Sequence, residues 1–252
     1  MNSKDNGPPE PRKMREATIM LPEVPWTKRD MRTALLLGTV AVLLLLGVML
    51  VGSQLFAGAL GIAQPSWLPG TLVLVAELGL LVPVWALGTR KYHLPWSSVG
   101  FRRFDIARAA GFGCLSVLGS FGFNALWALF LGLFRMRTQP DVLPVFGGGI
   151  QGLSQALLVG GVVAPVAEEA FFRGYLFAGL RSRCGRKPAI VMSAAMFSLA
   201  HIYPTSWPPI FVLGALFALL YEHTQSIWPA VVVHGGINAV GLVASYLLTL
   251  LS

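Results

Sequence analysis

Hydrophobic positions in this chain fall in long unbroken runs, and the polar positions gather between them. Residues 34–61 (ALLLGTVAVLLLLGVMLVGSQLFAGALG) contain no charged side chain, and the run exceeds the roughly 20 residues that cross a hydrocarbon core of about 30 Å. Further apolar runs lie near 68–88, 109–134, 149–180, 188–203, 207–222 and 227–250. The pattern predicts an all-α protein, a polytopic bundle of about seven transmembrane helices, with six to eight as the range. The fifth and sixth runs are short, and Pro204, Pro208 and Pro209 stand at their junction, which suggests a tight helical hairpin or a partly re-entrant pair. The first run is too long and starts too far into the chain for a signal peptide. Residues 1–32 mix seven Lys/Arg with five Asp/Glu and five Pro, the composition of a mobile cytosolic tail. The expected organisation is therefore a tail (1–32), N-terminal membrane helices (33–148) and a C-terminal helical core (149–252).

Composition agrees with this: 55% of the 252 residues are apolar and only 12% are charged, too greasy for one soluble core. Charge placement then sets an orientation. With the amino terminus inside, the inner loops carry Arg90, Lys91, Arg102, Arg103 and Arg108, then Arg181, Arg183, Arg186 and Lys187, while Arg135 and Arg137 fall outside. That asymmetry follows the positive-inside rule and predicts a cytosolic amino terminus. The net charge of +8 thus speaks of topology and of anionic lipid, so the bilayer is an expected partner. Nucleic acid is not expected, because no basic soluble module exists. Cys114 and Cys184 form neither a CxxC motif nor a credible disulfide.

The informative residues are ionisable groups inside the runs, since such groups are costly at membrane depth and tend to line a site. "VAPVAEEAFFRGYL" holds Glu168, Glu169 and Arg173, "FSLAH" holds His201, and "HGGIN" holds His234 and Asn238. One such histidine is most simply an interhelical hydrogen bond. Several on three helices at compatible depths point to a shared cavity. Glu169 and Arg173 are four apart with the acid first, so they can form an ion pair on one helix face, as His234 and Asn238 share theirs. Glu168 points about 100° away from Glu169 and has no local partner. An unpaired carboxylate in apolar surroundings suits a general base, and His and Asn suit the polarising of a carbonyl. The set describes hydrolysis of an amide or ester in a membrane cavity.

Rival chemistries fit less well. No HExxH zinc motif occurs, every Asp lies in the tail or a loop, and none of Ser154, Ser193 and Ser198 sits in a GxSxG turn, so neither an aspartyl dyad nor a serine elbow is favoured. Glu77 is expected to bond a neighbouring helix or water, with a role in the cavity as the alternative, and Glu222 with His223 to lie in a solvated loop at a cytosolic helix end.

Together "EEAFFR", "FSLAH" and "HGGIN" match EExxxR, FxxxH and HxxxN, and over residues 150–245 the chain resembles the CPBP family of intramembrane proteases. That family includes the CAAX prenyl endopeptidases and bacterial bacteriocin-processing and abortive-infection relatives. The resemblance implies Glu168 as catalytic carboxylate with His201 as its partner in activating water, Glu169 paired with Arg173, and His234 with Asn238 polarising the scissile carbonyl. Phe197, in the second motif, is expected to be a packing residue. The implied partner is a peptide or prenylated-peptide substrate, and the implied location a membrane, the bacterial inner membrane being favoured by the short loops. Cofactor status stays open. Glu168, His201 and His234 are a donor set for a divalent metal such as zinc, and Asn238 with Arg173 tilts the balance toward none. Two other function classes remain: a transporter or proton relay, which usually shows repeated halves, and a non-catalytic immunity or scaffold protein of the same fold. Substrate identity and oligomeric state are not encoded in any motif.

Overall fold

The computed structural model describes residues 23–54, 67–139 and 141–251; residues 1–22 of the expected tail and the end of the first expected run, 55–61, lie outside the described residues. Among the described residues seven long helices form its body: α1 (Lys28–Gln54), α2 (Leu68–Arg90), α3 (Ile106–Gly132), α4 (Gly149–Cys184), α5 (Arg186–Leu199), α6 (Trp207–Thr224) and α7 (Trp228–Leu251). Among the described residues there is no strand. Six helices among the described residues are long and apolar enough to cross a membrane. The seventh, α5, corrects the expected span 188–203. It stops at Leu199, and at 1.5 Å per residue its 14 residues reach about 21 Å, short of a bilayer core. Ser198 Oγ closes the following corner by donating to the Trp207 carbonyl at 2.6 Å, so α5 and α6 make the tight hairpin that the prolines suggest.

The distribution of apolar surface is that of a protein whose solvent is lipid. Leu36, Leu43 and Leu44 of α1 and Leu115, Leu118, Leu126 and Leu129 of α3 are exposed. The chain is an integral membrane protein.

At the centre stands α4, where every side chain from Ala170 to Phe177 is buried. It is not a regular α-helix. Two π-helical stretches, Val159–Val163 and Ala170–Phe177, flank a short α segment, Ala164–Glu169. The first has a local cause in Pro165. In the π register Ala164 N–H reaches back to the Val159 carbonyl; the next donor in line would be residue 165, and proline has none. The carbonyls of Gly160 and Gly161 are thereby left over, and in lipid they must find other partners.

Residues 23–32, assigned to the mobile tail by composition, are instead packed on this helix. Trp26 is fully buried, donates Nε1–H to the Tyr175 carbonyl at 3.0 Å and stacks on the Tyr175 ring at 5.1 Å between centroids. Arg183 donates to the Trp26 carbonyl. Asp30 accepts from Lys91 Nζ and Tyr92 Oη, each at 2.6 Å, and this hydrogen bond raises the Lys91 pKa above its ordinary value. An indole and a short acidic cap thus fasten the chain before α1 to the second π stretch of α4.

Candidate active site

Glu168 and Glu169 end the short α segment of α4, immediately before its second π stretch. π bulges tend to occur at functional sites because they re-aim neighbouring side chains. Helix α7 reaches this point through Gly235, where a Cβ would run into the carbonyl oxygen of Gly161. The missing side chain lets the two backbones touch, one residue from His234. Three residues on, Asn238 donates Nδ2–H to the Gly160 carbonyl at 2.8 Å. The "HGGIN" segment therefore meets both carbonyls freed by Pro165, and that docking sets the depth of the histidine.

His234 arrives between the two glutamates. Its Nδ1 lies 3.0 Å from Glu169 Oε1 and its Nε2 lies 3.9 Å from Glu168 Oε2. A carboxylate can only accept, so Nδ1 carries the proton, and the Nε2 of a neutral ring turns a lone pair toward Glu168. Two acceptors facing each other across 3.9 Å call for a proton donor between them, the place a water would take. Glu168 Oε2 is buried and has no hydrogen-bond partner.

Glu169 is the hub of the cluster. The same Oε1 that meets His234 lies 3.0 Å from Arg173 Nη1, and both side chains of this pair are essentially fully buried, at 0% and 1% exposed. The contact has ion-pair distance without hydrogen-bond alignment. Burying such a pair is costly unless its remaining valences are met. Arg173 donates to the Gly214 carbonyl of α6 at 3.3 Å, and its guanidinium carbon lies 4.1 Å from the Phe197 ring centre and 5.1 Å from that of Phe217. Planar guanidinium against two aromatic faces is a geometry that lysine would not reproduce.

Phe197 therefore does more than pack. Its ring also meets His201 at 5.1 Å and His234 at 5.8 Å, both edge-on, so it separates the two histidines while carrying the arginine charge. Phe217, which no motif marks, lies 5.1 Å from the His234 ring. His201 sits on the other side of Phe197 with Nδ1 2.9 Å from the Phe197 carbonyl, which assigns that proton to Nδ1 and leaves Nε2 free. Among the described residues no ion-pair contact joins His201 to a carboxylate. Of the residues singled out in the sequence, Glu168, Glu169, Arg173 and His234 are gathered directly. Asn238 is held one helical turn away by a backbone contact, and His201 stands behind an aromatic ring. It is His234, rather than His201, that faces Glu168.

A residue set aside by sequence reasoning also enters. Glu77 of α2 has a buried Oε2 with no partner, and α2 packs against the Ala164–Glu169 segment of α4 that carries Glu168. The residue is half-buried. The signal available was a lone acid within an uncharged run.

Residues 151–240 match the family described as Type II CAAX prenyl endopeptidase Rce1-like. The match covers the stretch that holds all three sequence motifs. All the gathered residues except Glu77 lie inside the matched segment. Over 131 residues the chain is 28% identical to the protein named "Putative membrane peptidase YdiL" of Bacillus subtilis (strain 168), covering 46% of this chain and 54% of that one. Over 83 residues it is 29% identical to "UPF0177 protein YxdF" of Lactococcus lactis subsp. lactis (strain IL1403), covering 32% and 45%. The chain thus spans about half the length of the curated relatives it matches. No solved structure matches it.

The donor set for a metal can be tested against the geometry. Among the described residues no three His, Cys, Asp or Glu side chains are gathered as an ion would need. Glu168 and His234 face each other, but the Phe197 ring stands between His234 and His201, the third ligand named from the sequence. As placed, the three side chains are not gathered into a metal site.

Proposed function

We propose that this protein is an intramembrane endopeptidase in which Glu168 activates water for attack on a peptide bond of a membrane-associated substrate. The observation that carries the proposal is the unpartnered Glu168 Oε2 opposite the His234 Nε2 lone pair, 3.9 Å apart in a buried setting. A water between these atoms can donate one hydrogen to each, which orients its oxygen lone pair outward, toward a carbonyl carbon. Glu168 takes the proton as the C–O bond forms, and later gives it to the leaving amine as the C–N bond breaks. His234 is kept in one tautomer by Glu169, which Arg173 in turn holds in place, a chain of positioning contacts that ends on Phe197 and Phe217.

Charge on the tetrahedral oxygen needs donors. Of the two Asn238 amide hydrogens, one is bound to Gly160, and the second remains for an oxyanion. Both histidines have a bare Nε2 when neutral, so either contributes a donor only as an imidazolium. The membrane setting, the CPBP match of residues 151–240 and the relative named as a membrane peptidase support a protease over a transporter or scaffold. A CAAX-type or other lipid-anchored peptide fits the family description, and the bacterial organisms of the two relatives support a bacterial inner membrane. Purified protein in detergent, given quenched peptides with and without a prenyl group, tests the proposal. Cleavage is expected from the wild type and not from Glu168→Gln. Turnover retained in Glu168→Gln would remove the carboxylate from the mechanism, and ion-coupled uptake without cleavage would favour the transporter.

A further inference from the structure

At the basic end of the bundle, away from the acidic cluster, the connection between α2 and α3, the end of α6 and the start of α7 border two adjoining open clefts of about 450 and 490 Å³. The first lies among Arg102, Arg103, Arg108, His223 and Gln225. The second shares Arg102 and Arg103, and its other wall is Phe101, Ile106 and Trp228. The acid on the rim, Asp105, is already committed: its carboxylate caps α3 by accepting the Arg108 backbone N–H at 3.1 Å. Arg102 donates Nε–H to the Ser97 carbonyl, whereas the guanidinium groups of Arg103 and Arg108 have no protein partner among the described residues.

The walls are tied together without a ligand. Ser226 Oγ donates to the Arg102 carbonyl at 2.7 Å and Ile227 N–H to the Gly100 carbonyl at 3.0 Å. Trp96, Phe101 and Trp228 run edge to face at 5.4 and 5.7 Å. Ile106 and Trp228 are the first residues of two membrane-crossing helices, 75% and 37% exposed. One half of the double cleft is cationic, and the other is apolar at the level where the hydrocarbon begins. Basic residues at an inner membrane face are accounted for by topology alone when they are scattered. Here three converge on one concavity that continues into an apolar wall.

We propose that this double cleft is a binding site for one anionic phospholipid, with its phosphate against Arg102, Arg103 and Arg108 and an acyl chain along Ile106 and Trp228. A soluble phosphate would use only the basic half, and an acidic peptide would leave the apolar half bare to the bilayer. Trp228 precedes His234 by six residues, about 9 Å along α7, so the bound lipid fixes the level of the headgroup region relative to the acidic cluster. The site is independent of whether the protein hydrolyses peptides.

Native mass spectrometry of the full chain, titrated with phosphatidylglycerol or phosphatidylcholine, measures the affinities. Phosphatidylglycerol is expected to bind tighter. With each interfacial arginine contributing about fivefold, Arg103→Gln with Arg108→Gln lowers its affinity by about 25-fold. Arg103→Lys with Arg108→Lys, which keeps the charge, stays within about fivefold. The control pair Arg186→Gln with Lys187→Gln removes the same charge from exposed positions at the same end, outside the cleft, and is expected to change affinity by less than about twofold. Unchanged gel-filtration profiles show that these exposed substitutions leave the fold intact. Equal binding of the two lipids, an equal loss in the control pair, or displacement of the lipid by millimolar inorganic phosphate would overturn the proposal.

Discussion

Arg173 offers the sharpest test of how the buried charges are held. Arg173→Met leaves Glu169, fully buried, as a carboxylate without its counter-ion, and breaking such a pair costs about 3–5 kcal/mol. Losing the guanidinium from the faces of Phe197 and Phe217, at 4.1 and 5.1 Å, adds about 1–2 kcal/mol. Glu169→Gln costs a similar 3–5 kcal/mol, since it strands the arginine instead. Removing both charges together restores neutrality, and the double variant should lose only about 1–3 kcal/mol, the value of the lost hydrogen bonds and packing. The cycle therefore predicts strong non-additivity, with the double variant more stable than either single one. Arg173→Lys should lie between, about 1–2 kcal/mol below wild type, because charge survives and planarity does not. Equilibrium unfolding in mixed micelles, read by tryptophan fluorescence, gives the four free energies. Additivity within about 0.5 kcal/mol, or a loss below about 1 kcal/mol for Arg173→Met, would refute the reasoning.

Three further outcomes follow from the same geometry. Gly235→Ala places a Cβ against the Gly161 carbonyl, so α7 must back away from α4, at a cost of about 1–3 kcal/mol by micelle unfolding and with a fall in turnover as His234 retreats; wild-type turnover would contradict the close approach. Asn238→Ala uncovers the Gly160 carbonyl and should destabilise by about 1–3 kcal/mol, while an effect on turnover with no loss of stability would assign Asn238 to substrate alone. Glu77→Leu removes a buried oxygen that has no partner and is expected to stabilise the bundle by about 1–2 kcal/mol; a lower melting temperature would show that the carboxyl has a partner.

What could be read from sequence alone follows from what sequence spacing encodes. The apolar runs place α2, α3, α4, α6 and α7 to within a few residues, because a bilayer imposes length and apolarity together. Contacts within one helix were equally legible: Glu169 and Arg173, four apart, do meet. Rotation of one helix against another has no such signature. That is why His201 was expected opposite Glu168 where the structure has His234, why Phe217 went unnoticed, and why a cavity role for Glu77 stood only as an alternative. The first π stretch of α4 depends on one proline and on partners more than seventy residues away, Gly235 and Asn238. The segment around Trp26 looked like a tail because its composition is polar and proline-rich, and only the fold supplies the Tyr175 carbonyl that Trp26 binds.

The central claim is that Glu168, lying opposite His234, delivers water to a peptide bond inside the membrane. Its most direct test is cleavage of a quenched peptide by the protein in liposomes made up in heavy-oxygen water, with the products weighed by mass spectrometry. The wild type should place one heavy oxygen in each new carboxyl terminus, and Glu168→Gln should be slower by about a hundredfold to ten-thousandfold while unfolding like the wild type. A Glu168→Gln protein that cuts at the wild-type rate, or products that carry no heavy oxygen, would contradict the account.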